Sequence, residues 1–297
     1  MSIRFRNYTE EMRFTEDFHR VWEFLERINS EKITTPNFLW ARWEWMFSLP
    51  FLDVSSLSKI GIWEDDGRII ALATYESELG EAYFCVDSDY SYLKSEIMAY
   101  ARQNLHKNGY LRALIPDDDR ELQIAALEHG FRPTQKKEYN SVIRINDSIA
   151  YSLPQGFTIS SMADECDLLK IDRCLWRGFN HEGPPPLTPQ SIEERRISCS
   201  GPHWNGNLNM KVIAPNGDYA SYCGIWYEKG ADYALVEPVC TDPAYRRMGC
   251  GRAAVLEAVK RCGRLGAKVA FVGSSQQFYY NIGFYPYSTE TWWEPRK

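Results

Sequence analysis

The sequence predicts an α/β protein made of two similar halves, each a mixed sheet covered by helices. Three observations carry that prediction. Strand-like and helix-like segments follow one another in the same order twice along the 297 residues, as expected of a sheet with crossover helices. Two Gly-Phe pairs, Gly130-Phe131 and Gly283-Phe284, stand 153 residues apart, the spacing of a duplicated domain. Between the halves, about 147–156, "DSIAYSLPQG" is polar and turn-rich and reads as a linker. The predicted domains are therefore 1–148 and 149–297.

In the first half, "IRFRNY" reads as a strand and "DFHRVWEFLERIN" as a helix with apolar residues three and four apart. "KIGIWEDDGRIIALATYE" follows as a hairpin turning at "DDG". Strand "EAYFCV", helix "YLKSEIMAYARQNL", strand "YLRALI" and a helix ending in "LEHGF" complete it. The second half repeats the order. "GFTI" is a strand, "ADECDLLKIDRCLWRGF" a helix, and "NHEGPPPLTP" a loop. "NMKVIA" and "YASYCGIWYE" form a hairpin about "PNGD", and "DYALVEPVCT" is the next strand. A glycine loop leads into a helix through about Leu265, then strand "KVAFVG" and the short helix in "SSQQFYYNIGF".

Bulk properties narrow the function. The net charge of −6 argues against a nucleic-acid binder with a basic surface. About 18 basic residues face 25 acidic ones in the first half, against about 16 and 15 in the second. The first segment, "MSIRFRNYTEEMR", carries no apolar run like that of a signal peptide, and no stretch has the length of a membrane span. The eight cysteines lie far apart with no C-x-x-C pair. They read as reduced thiols of a cytoplasmic protein, without a metal site.

The sharpest signal is "TDPAYRRMGCGRAA", residues 241–254, where two arginines precede two glycines at a helix start. The first N–H groups of a helix have no partner within it, and the helix dipole adds positive charge there. Glycine lets an anion approach that backbone, and arginine adds charge-assisted hydrogen bonds. Just upstream, Pro238 interrupts a good strand; a proline cannot donate to a ladder, so neighbouring strands part or bulge there. The backbone of Val239, Cys240 and Thr241 is then open to an amide-bearing ligand. A pyrophosphate at one end and amides along an arm describe coenzyme A.

These residues carry a resemblance. "EPVCTDPAYRRMGCGRAAVLEAVKR" is similar to the acyl-CoA signature of the GNAT acetyltransferase superfamily, and "FYYNIGF" to its later Tyr-x-x-x-Gly-Phe element. The likeness covers the second half; a weaker form covers the first. It implies tandem GNAT-like N-acyltransferase domains, with acetyl-CoA as co-substrate and a small-molecule or peptide amine as acceptor. It implies a pantetheine arm on Val239, Cys240 and Thr241, and a pyrophosphate on the segment Arg246, Arg247, Met248, Gly249, Cys250, Gly251 and Arg252. Thr241 stands where the family usually has an aliphatic residue.

Two side chains are implied in chemistry. Tyr279, four residues before Gly283, occupies the place of the general acid that meets the departing thiolate. Glu237 is the candidate base. An amine of pKa about 10.4 is only about one part in 2,500 neutral at pH 7, a barrier of roughly 4.6 kcal/mol that a nearby carboxylate relieves. His181 and Glu182, in "FNHEGPPP", lie where the family shapes its acceptor pocket. The first half has "CVDSDYSYLKSEIM" in place of the glycine loop: no glycine, two aspartates and only Lys94 as a base. Ala126 stands where the second half has Tyr279. That half is expected to bind no CoA. A sensor that binds acyl-CoA without transferring it is the alternative to an enzyme.

Overall fold

A computed structural model describes residues 3–11 and 13–296, and the chain divides into two compact units. One comprises Met1–Asn140 and Tyr287–Lys297, the other Ser141–Pro286. The units are therefore not the two contiguous stretches read from the sequence. Residues 141–148 lie in the second unit and the last eleven residues in the first.

The first unit begins with β1 (Ile3–Asn7), α1 (Glu16–Ile28) and α2 (Trp40–Phe47). β2 (Gly61–Asp65), β3 (Arg68–Thr74), β4 (Glu81–Val86), α3 (Lys94–Asn104), β5 (Arg112–Pro116), α4 (Arg120–Glu128) and the first part of β6 (Phe131–Arg144) follow. β1 to β4 are antiparallel neighbours, and β4 meets β5 in parallel through Glu81 and Ala82 only. α1 forms because Phe18, Val21, Phe24 and Leu25 line one face, while the Thr15 hydroxyl caps it by accepting from the Phe18 N–H at 3.2 Å. That face meets an aromatic cluster in which the Trp43 ring lies 6.1 Å from Phe18 and 4.7 Å from Phe47. The Trp43 indole donates to the Phe18 carbonyl at 3.1 Å. Each such ring contributes roughly 1.5–3 kcal/mol by burial.

The second unit holds β7 (Thr158–Ser161), α5 (Leu168–Gly178), α6 (Pro189–Ser198), β8 (Met210–Ile213), β9 (Tyr219–Trp226), β10 (Tyr233–Thr241), α7 (Cys250–Leu265), β11 (Val269–Val272) and α8 (Gln277–Asn281). Its strands run β11-β10-β9-β8-β7, with residues 141–144 of β6 antiparallel to β11. All eight residues of β9 are buried, because α5 and α7 pack against it. Ala253, Ala254 and Ala258 on α7 are fully buried small residues that bring that helix close to the sheet. β12 (Tyr285–Pro295) returns to the first unit, where Thr291 to Trp293 pair with Ile115 to Ala113 of β5.

Among the described residues no helix is long and apolar enough to cross a membrane. No group of three His, Cys, Asp or Glu side chains there gathers as a metal would need.

Candidate active site

β10 is where the second unit's sheet opens. Its parallel pairing with β11 covers only Tyr233, Ala234 and Leu235. Beyond that point its register against β9 shifts by one residue, from Val236 opposite Ile225 to Val239 opposite Cys223. The extra residue makes a bulge at Glu237 and Pro238, which are joined by a cis peptide bond. Gly224 is the β9 residue that lies under it. From there to Thr241 the edge facing away from β9 has no strand beside it. The Asp242 N–H donates to the Ala220 carbonyl at 3.0 Å, so it points toward β9. By strand alternation the backbone groups of Thr241 and Val239 point the other way, into the opening.

α7 begins on the far side of that opening. Gly249 is its N-cap, at φ 89°, and Arg247 is also left-handed at φ 64°. Side chains strain in such a conformation, and Gly249 tolerates it freely. No side chain caps the helix, and its first intrahelical bond is from Ala253 N–H to the Gly249 carbonyl at 3.0 Å. The N–H groups of Cys250, Gly251 and Arg252 are thus left for an outside acceptor. Gly251 admits a close approach, since a Cβ there would sit 2.8 Å from the Thr241 hydroxyl. That hydroxyl is paired with Ser221 at 3.0 Å, which gives Thr241 a polar role at a position expected to be aliphatic.

Strand edge and helix start border one cavity of about 1060 Å³, within the second unit. Val239, Cys240, Thr241, Arg246, Arg247, Gly249, Cys250, Gly251, Arg252 and Tyr279 line it. Met248 and Glu237 do not; the Met248 side chain is turned to solvent. The arginines differ sharply. The Arg247 side chain forms no hydrogen bond or ion pair among the described residues. Arg252 reaches the Ala150 carbonyl at 3.3 Å. Arg246 is engaged with the protein itself through Nε and Nη2, donating to the carbonyls of Thr241 and Gly178 and to Asn180 Oδ1. Its guanidinium is held as a structural link, a role the sequence did not reveal.

Tyr279 sits on α8 with its ring 5.0 Å from Phe278 and 5.5 Å from Phe284, so it is packed as well as cavity-facing. Burial pushes its phenol well above the ordinary value, and Cys223 and the Glu237 charge add to the rise. The hydroxyl makes no hydrogen bond among the described residues. It is a protonated donor facing a cleft, and Glu237 is close enough for its charge to act there. Phe179, half exposed, also borders the cavity. His181 stacks near Trp176 at 4.6 Å, out at the surface.

The corresponding stretch of the first unit has another geometry. No residue from 81 to 104 has a positive φ, and α3 starts at Leu93 without a nest. Lys94 is spent on Asp119 at 2.8 Å and Glu121 at 3.0 Å. Ala126 is fully buried.

Residues 172–285 match the acetyltransferase (GNAT) family. Over the whole chain, the fold is similar to that of a tandem GNAT protein from the clavulanic acid biosynthesis pathway, at 13% identity and TM-score 0.62, covering 100% of both chains. It is similar to a GCN5-related N-acetyltransferase from Sphaerobacter thermophilus at 14% identity and TM-score 0.59, covering 99% of this chain and 96% of that one. Saccharomyces cerevisiae N-myristoyltransferase with bound myristoyl-CoA is similar at 11% identity and TM-score 0.51, covering 99% and 78%. No curated protein sequence matches significantly.

Proposed function

We propose that this chain moves an acetyl or other short acyl group from CoA to an amine, a reading supported by the match of residues 172–285 to the acetyltransferase (GNAT) family. The observation that supports this best is the one cavity joining an unpaired strand edge, a helix start without a side-chain cap and a protonated tyrosine. In this reading Val239 and Thr241 take the pantetheine amides as a strand would. The N–H groups of Cys250, Gly251 and Arg252, with Arg247, hold the pyrophosphate. A main-chain N–H polarises the thioester carbonyl.

The amine attacks the carbonyl carbon, the C–S bond breaks, and the thiolate leaves beside Tyr279. A phenol held above its ordinary pKa stays protonated, so Tyr279 stabilises the departing thiolate by donating a hydrogen bond and keeps its proton, and the thiolate is protonated from solvent. Glu237 receives the amine proton, directly or through water. Acyl transfer sits in the second unit alone, and the first unit binds no acyl-CoA.

A panel of amines with acetyl-CoA, read by release of free thiol, tests the proposal. Acceptor-dependent thiol release is the expected result. Tight acetyl-CoA binding with no turnover on any amine would favour the sensor.

A further inference from the structure

We propose that Arg246 is a positioning residue that fixes the pantetheine-binding strand edge rather than a ligand of the pyrophosphate, an inference that rests on the acyl-CoA site proposed above. The geometry of its guanidinium carries this. Nη2 donates at 2.8 Å to the Gly178 carbonyl and at 2.8 Å to Asn180 Oδ1, and Nε donates at 3.2 Å to the Thr241 carbonyl. Gly178 ends α5, so its carbonyl is one that the helix leaves without a partner, and a cation satisfies it well. Asn180 follows two residues later at φ 59°, in the left-handed conformation that commonly closes a helix. Arg246 therefore ties the end of α5 to the last residue of β10.

A second arginine crosses the same junction in the opposite direction. Arg177 of α5 pairs at 3.1 Å with Asp242, which is 3% exposed and also accepts from the Ala244 N–H at 2.9 Å. The helix end and strand end are thus clasped twice. They are also pressed together: a Cβ on Gly178 would lie 2.6 Å from Cys240 Cβ and 3.2 Å from the Thr241 nitrogen. The strand edge that would receive the pantetheine amides owes its place to α5. Three acceptors in fixed directions need the planar fork of arginine; the single ammonium of lysine keeps the charge and loses the geometry.

The test compares CoA with 3′-phosphoadenosine 5′-diphosphate, which carries the phosphates and lacks the pantetheine arm, by isothermal titration. Arg246→Ala and Arg246→Lys are both expected to weaken CoA by about 5- to 20-fold and the diphosphate by less than about twofold, because only the arm lies on the strand. Arg247→Ala is expected to weaken both ligands alike. Equal losses for the two ligands in Arg246→Ala, with recovery in Arg246→Lys, would make Arg246 a phosphate ligand and overturn the inference. Unchanged CoA affinity in both variants would overturn it too. Wild-type protein that binds neither ligand would sink the acyl-CoA reading itself, a separate outcome.

Discussion

Gly224 and Glu237 meet across the β9–β10 ladder with no room for a side chain between them. A Cβ on Gly224 would lie 2.5 Å from the Glu237 carbonyl oxygen and 2.7 Å from Pro238 Cδ. The bulge that opens the sheet is therefore seated on a bare backbone position. Gly224→Ala forces that backbone to move and should cost roughly 1–3 kcal/mol, as overpacking does. The melting temperature should fall by several degrees, and CoA affinity should fall with it, because the strand edge shifts. A variant that melts like wild type would show that the bulge yields freely.

Gly249 makes the complementary case on the helix side. Gly249→Val places a β-branched residue at φ 89° and closes the approach to the first N–H groups of α7. CoA should bind at least tenfold more weakly, about 1.4 kcal/mol. Arg247→Ala should matter more at low salt than at high salt, since an exposed charge is screened. Titration at two ionic strengths checks both, and an undiminished affinity in the glycine variant would remove the anion-nest argument.

The stretch 238–254 was legible because it needs particular residues in particular order: Pro238 for the bulge, Gly249 for the turn, Gly251 for the close approach. Other parts were not. α6 has one buried residue, Ser191, and so shows no apolar stripe to read. β6 and β12 were missed as strands. Much of β6 is exposed and polar, in "PTQKKEYN", and Pro133 reads as a breaker. β12 offers only the adjacent Trp292 and Trp293 as a local signal. Its register is set by β5, whose residues 113–116 lie 174 to 180 positions before their partners, and no local pattern announces that pairing. The exchange of end segments between the units followed from the same omission. At Arg246 the sequence identified the residue type and not its partners, because the carbonyls it binds belong to helix-end and strand-end geometry.

Glu290 in the first unit predicts a pH dependence. It is fully buried on β12, accepts from Asn140 Nδ2 at 3.0 Å and from the Ser288 hydroxyl at 2.8 Å, and burial pushes its carboxyl up to about 7. A carboxyl whose pKa is higher when folded than when unfolded, near 4.5, destabilises the protein once it must ionise. The cost is absent below about pH 4.5, grows between 4.5 and 7, and is full above 7, where it is about 3 kcal/mol. Glu290→Gln retains an acceptor oxygen for both partners. It should raise the melting temperature at pH 8 and leave it nearly unchanged at pH 4.5. An equal shift at both values would show that titration is not the cause.

The start of α3, the first unit's counterpart of the α7 start, sets the expected stoichiometry. With Lys94 held by Asp119 and Glu121 and no left-handed residue at the start of α3, that helix start offers a phosphate neither a free charge nor bare backbone. Isothermal titration with acetyl-CoA should give one site per chain, and Gly249→Val should weaken that one site. Two equivalent sites would overturn the assignment of binding to the second unit.

Tyr279 separates binding from chemistry. Its ring is packed against Phe278 and Phe284, and those contacts survive replacement by phenylalanine. Its hydroxyl faces the cavity and has no partner among the described residues, so it is free to meet charge that develops only when the C–S bond breaks. An interaction made in the transition state alone changes the maximal rate and leaves the apparent constant for the substrate alone. Tyr279→Phe should therefore slow turnover by roughly 10- to 1,000-fold, about 1.4 to 4 kcal/mol, with little change toward acetyl-CoA. Because burial holds the phenol above its ordinary pKa, the hydroxyl stays protonated across the working range. The wild-type rate should show no loss from this group up to about pH 10. A fully active phenylalanine variant would leave Tyr279 as a packing residue. A folded variant that no longer binds acetyl-CoA would make it a contact of the cofactor.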